Sequence, residues 1–142
     1  MAMPFNATKY PLQQTFYTDY LKPKMAELNL PIHRVDSPEK FTHGDINNRM
    51  LAQIRQSKCL IADLTGNNLG VLFEAGYAMG LGRPVFFICE KSQKKKFHFD
   101  ISTQQVIFYQ ANTMAEAVID IHAALYNSQL VTKPTPLPNA KP

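Results

Sequence analysis

Long apolar runs are missing from this chain: none approaches the roughly 18–20 residues needed to cross a bilayer, so a membrane-spanning helix is excluded. The opening MAMPFNATKY lacks the charged-then-apolar pattern of a secretion signal, and the cytoplasm is the expected location. Cysteine is scarce. Cys59 and Cys89 both fall in apolar runs, KCLIAD and VFFICE, which favours buried free thiols over a disulfide framework. Neither has a second cysteine or a histidine at ligand spacing, so no metal is expected. No GKS or GKT closes a phosphate loop, and no GxGxxG marks a dinucleotide site. No repeat is visible, and no cofactor is expected. Charge is also modest, at +4, and much of the excess lies in the KSQKKK stretch Lys91–Lys96. That stretch reads as a solvated loop; without interleaved aromatics it gives no reason to expect a nucleic-acid partner.

What is present is the material of one domain: 142 residues, 45% of them hydrophobic and 18% charged. Four short stretches rich in Val, Ile and Phe show little alternation, as expected of parallel strands covered on both faces. They are Pro31–Asp36, Cys59–Asp63, Pro84–Cys89 and Gln105–Tyr109. Helical spacing fills the gaps. Leu12–Asn29 carries an apolar stripe with Pro23 as a kink, and Thr42 with Asp45 resembles a cap before Ile46, Met50 and Ile54. A third helix is expected from about Gly70 to Leu81, stopped by Gly82 and Pro84, and a last one over Met114–Tyr126. The alternation predicts an α/β, flavodoxin- or Rossmann-like three-layer sandwich with a mainly parallel sheet of about five strands. Its first strand must be short, or the natural start longer, because little precedes Phe5. Residues 1–127 form the expected domain, and 128–142, rich in proline, an extended or disordered tail.

Chemistry in such a sheet belongs at the carboxyl ends of the strands. There Asp63 ends one strand, Thr65-Gly66-Asn67-Asn68 make a loop, and Gly70 opens a helix, offering backbone N–H groups to an anion. Glu74 then stands alone among small residues: Gly70, Ala78 and Gly76. Glycine weakens a helix, and sequences accept that where a backbone or ligand comes close. On the residues alone Glu74 is either a helix carboxylate favoured by the dipole beside tightly packed glycines, or a reacting group. The four histidines are scattered, and none is expected to be catalytic.

The stretch IADLTGNNLGVLFEAGYAMGLGRPVFFI resembles the signature of the nucleoside 2-deoxyribosyltransferase superfamily and its TIR-like relatives. The shared pattern is a strand ending in an acid and Thr, an Asn- or Ser-containing loop, a Glu-x-Gly-x-Ala helix, then a basic residue with Pro before a strand. MPFN, Tyr20-Leu21-Lys22-Pro23 and FDISTQQVIFY agree with it, so the resemblance covers about residues 3–126. It implies that Glu74 attacks the anomeric carbon of a nucleoside or nucleotide. Asn68, with Asn67 beside it and Gly70 following, matches the loop that meets the 5′-phosphate. Asp63, grouped with the catalytic residues, matches an acid that orients loop groups or a ribose hydroxyl. Phe5 stands for the aromatic residue that encloses sugar or base. One departure is plain: relatives that hydrolyse deoxynucleotides carry an aspartate on the preceding helix to protonate the leaving base, and Met50 occupies that place. The alternatives are a TIR-like glycohydrolase of NAD or a related dinucleotide, and a module that binds nucleotides without turnover. Relatives often assemble, so a homodimer is expected.

Overall fold

The computed structural model describes residues 1–4, 6, 8–35, 46–96 and 104–132, excluding the side chains of 46, 47 and 94–96. Phe5, Asp36, Thr42, Asp45, His43 and His98 lie outside the described residues.

Pro11–Thr15, Phe16–Leu21 and Lys22–Glu27 run on as one helix, α1, whose middle stretch is π-helical. Pro23 explains the wider turn: it has no N–H, and its ring crowds the carbonyl one turn back, so the coil loosens around it. Helix α2 spans Ile46–Gln56, strand β1 Leu60–Asp63, and a short 3-10 turn Thr65–Asn67 leads into α3, Leu69–Gly80. Strand β2 follows at Val85–Glu90, β3 at Val106–Tyr109 and α4 at Met114–Asn127.

Among the described residues the sheet has three strands, not about five, all parallel and ordered β1-β2-β3. The register pairs Asp63 with Ile88 and Glu90 with Tyr109, so β2 and β3 run two residues past the end of β1. Two stretches expected as strands fall short for a physical reason. The chain start lies parallel to β1 but bonds it only around Ala2, which donates to Ile61 O at 2.9 Å and accepts from Asp63 N at 2.9 Å. Pro31–Val35 is apolar enough for a strand and packs on the cores through Ile32 and Val35, yet its backbone pairs with Met1, which accepts from Val35 N at 3.0 Å and donates to the His33 carbonyl. Pro4, two residues beyond Ala2, supplies no donor to continue the chain-start pairing.

Side chains alternate between two cores, the period of two expected of strands. Ile61, Ile88 and Tyr109 face α1 and α4, joining Phe16, Leu21, Met25, Ile121 and Leu125. Leu60, Ala62, Phe87 and Cys89 face α2 and α3, joining Ile54, Val71, Ala75 and Ala78. Helices thus cover both sheet faces, giving three layers. The tail does not leave the domain at once: Leu130 and Val131 pack on the first core, and His122 Nε2 lies 3.2 Å from the Thr132 carbonyl oxygen.

Candidate functional site

The site is built where β1 hands over to α3. Asp63 is wholly buried, and both of its oxygens are engaged. Oδ1 accepts from Thr65 N at 3.0 Å and from Thr65 Oγ1 at 2.6 Å; Oδ2 accepts from the Tyr109 hydroxyl at 2.6 Å. Burial pushes the Asp63 carboxyl up to about 6, against the pull of these three bonds. Tyr109 is displaced well upward as well, first by burial and then by the Asp63 charge. Cys89, beside them, is pushed up to about 12 by burial, so it is an inert core thiol at neutral pH. Thr65 completes the knot, because its Oγ1 accepts from Glu90 N at 2.9 Å and ties the turn to β2.

The turn then reverses through Gly66 at φ 75° and Asn67 at φ 51°. Gly66 is required twice over: its φ is one that side chains rarely adopt, and a Cβ there would stand 2.3 Å from the Tyr10 hydroxyl oxygen. Asn68 caps α3, its Oδ1 accepting from Gly70 N at 2.8 Å and Val71 N at 3.3 Å. The expected loop residues are therefore in place, but the Asn68 oxygen occupies the anion-like position at the helix start. Asn68→Ala should cost about 1 kcal/mol of stability, measurable by urea unfolding, while Asn68→Asp should retain most of it.

Glu74 lies in the second turn of α3, only 6% exposed, on the inward face shared with Val71, Ala75 and Ala78. Helix side chains lean toward the N-terminus, which for α3 is the end at the strand carboxyl termini. The glycines near it behave differently from one another. Gly70 faces the Asn68 cap at 3.0 Å, whereas a Cβ at Gly76 or Gly80 would meet nothing within 4 Å. Met50 sits half-buried on α2 against the second core.

A cavity of about 440 Å³ opens at this same end, lined by Lys9, Tyr10, Gln13, Thr65, Gly66, Glu90 and Gln93. It shares the Thr65–Gly66 wall with the loop, but its lining does not include Asp63, Asn67, Asn68, Gly70 or Glu74. Glu90, Lys9 and Tyr109 are polar groups here to which the sequence alone assigns no role, whereas Thr65 is expected in the loop. A hydroxyl ending the apolar strand QVIFY marks Tyr109 in the sequence, but nothing local ties it to Asp63. A second cavity, about 430 Å³, lies at the opposite end beside Leu30, Ile32, Ile54 and Cys59. Ligands in open α/β sheets bind at the carboxyl ends, so it is not the candidate site.

An open parallel sheet wrapped by helices on both faces, with a capped strand-to-helix loop, is a Rossmann-like α/β domain. Residues 5–124 match the model of the nucleoside 2-deoxyribosyltransferase family, and the chain belongs to that family. It is similar in structure to a 2-desoxiribosyltransferase from Leishmania mexicana, with a TM-score of 0.61 and 18% identity over 85% of this chain and 95% of that one. At that identity the likeness establishes the shared fold. No curated protein sequence matches the chain significantly. Among the described residues no helix is long and apolar enough to cross a membrane.

Proposed function

We propose that this chain cleaves or transfers the N-glycosidic bond of a nucleoside or nucleotide, with Glu74 as nucleophile. The observation that carries the reading is a buried carboxylate in the second turn of α3, behind the capped loop, in a chain of this family. A Glu74 carboxylate oxygen bonds to the anomeric carbon while the bond from that carbon to the base breaks. The electron pair leaves with the base nitrogen, which takes a proton from solvent or a neighbouring acid. Water, losing a proton, or a second base then displaces Glu74 from the sugar. A carboxylate suits both stages, since its charge stabilises an oxocarbenium-like centre before and after the ester exists.

The neighbouring residues take matching parts. With Oδ1 committed to the cap, Asn68 meets a 5′-phosphate through its Nδ2 donors, and Asn67 and Gly70 shape the same loop. Phe5 encloses the sugar or base. Asp63 contacts no substrate in this reading; its engaged oxygens make it a positioning group. Met50 in place of an acid favours a second reading, binding without turnover.

The exposed face of α3 supports a homodimer. Leu69, Phe73 and Met79 are 77%, 58% and 48% exposed, and Gly76 and Gly80 open beside them. Each glycine costs the helix about 1 kcal/mol relative to alanine. Nothing within the described chain requires that smallness, whereas the backbone of a second copy would. Light scattering on a size-exclusion column should give twice the 16.1 kDa chain mass. Phe73→Glu should convert it to monomer; a monomeric wild type would refute the dimer.

The function is tested by incubating the chain with deoxynucleoside monophosphates, nucleosides and NAD and separating the products by chromatography. Released base supports the glycosidase or transferase reading, and released nicotinamide the TIR-like one. Saturable nucleotide binding by calorimetry without any release would instead establish a binding module.

A further inference from the structure

Tyr109 ends β3 fully buried, yet it brings a hydroxyl to the carboxyl edge of the sheet. Its ring lies nearly parallel to that of Phe16 of α1, at 8° with centroids 4.4 Å apart, so the hydroxyl is aimed by a fixed platform. From that hydroxyl a chain of hydrogen bonds runs through Asp63 Oδ2, Asp63 Oδ1 and Thr65 Oγ1 to the Glu90 amide. All three strands therefore meet at one cluster under the turn that delivers the Asn68 cap and α3.

We propose that Tyr109 is a positioning residue for the Glu74 site: its hydroxyl fixes the Asp63 carboxylate, Asp63 fixes Thr65, and Thr65 fixes the turn that sets the first two turns of α3. The catalytic part of this inference rests on the proposed role of Glu74, but the fixing of the loop stands on the hydrogen bonds alone. A purely space-filling aromatic would need no hydroxyl, and phenylalanine would serve. Here the hydroxyl is one of three donors to a carboxylate with no access to water, and such a group is costly to leave short of partners. The titratable groups facing Asp63 are Tyr109 on β3 and Cys89 and Glu90 on β2, and α1 brings neutral Gln13 to the Tyr109 hydroxyl. Loss of the Tyr109 bond leaves Glu90 and burial pushing the Asp63 carboxyl upward with less opposition.

The test uses the full chain carrying Tyr109→Phe, with Val118→Ala as a core variant on the same side of the sheet. Amide hydrogen exchange is followed at Thr65, Gly70, Val71 and Glu90, and base release is followed against pH. Tyr109→Phe should speed exchange at these amides about tenfold or more and move the acid limb of the pH profile to higher pH. Val118→Ala should lower the melting temperature and move neither. Adding Asp63→Asn should give less than the sum of the two effects, because both break one chain of bonds. Unchanged exchange at the four amides, or an unmoved acid limb, would overturn the inference. If the wild type releases no base, the Glu74 reading falls, while the exchange measurement still decides the role of Tyr109.

Discussion

Glu74→Ala should lower base release about 10³-fold or more while leaving nucleotide affinity nearly unchanged. The size follows from where the interaction acts. A carboxylate that bonds to the anomeric carbon stabilises charge that exists only as the glycosidic bond breaks, so its removal lowers turnover rather than ground-state binding. Glu74 is buried, so truncation also leaves a space beside Val71 and Ala78; Glu74→Gln keeps the shape and should lose as much activity. Calorimetric titration with the best nucleotide, alongside circular dichroism, separates lost chemistry from lost fold. Base release that persists in both variants would remove Glu74 from the mechanism.

The second large effect is a pH dependence of stability carried by Asp63. Its carboxyl lies at about 6 in the folded chain against an ordinary 3.8, because burial disfavours the charge more than three donors favour it. A folded-state value above the unfolded one means that the native chain binds more protons between the two. The contribution is fully present below the ordinary value and is lost as pH rises through about 6. Two pH units correspond to about 3 kcal/mol. Asp63→Asn removes the titration, so the variant should gain about 2.5 kcal/mol relative to wild type between pH 4 and pH 7.5. Urea unfolding of both proteins at the two pH values measures this difference. A gap that stays constant would mean that Asp63 titrates normally.

The sequence conveys much of this architecture because its strongest patterns are local. Apolar runs without alternation locate β1, β2 and β3 to within a residue or two, and Gly82 with Pro84 ends α3 close to the expected point. Strand number is different, because it depends on partners. Pro31–Val35 has the composition of a strand but its backbone pairs with Met1 rather than with a strand of the described sheet, and composition does not reveal whether a ladder continues. The site divides in the same way. The run from Asp63 to Glu74 is contiguous, so its residues are legible as a group. Tyr109 reaches Asp63 across 46 positions through the β1-β2-β3 register, and no local pattern encodes that meeting. The Asn68 cap shows the same limit: the residue is readable, but whether its oxygen turns to the helix N–H groups or elsewhere is decided by the geometry of the turn.

Turnover through Glu74 requires that its carboxylate become covalently bonded to a sugar. A nucleoside or nucleotide carrying fluorine at the 2′ carbon forms such an ester and releases it slowly, because the electron-withdrawing group raises the barrier to the second displacement. Intact-mass spectrometry after brief incubation should show one added glycosyl group per chain. Peptide mapping should place it on Glu74, and Glu74→Gln should show none. Steady base release with no adduct, or an adduct on any other residue, would contradict the account.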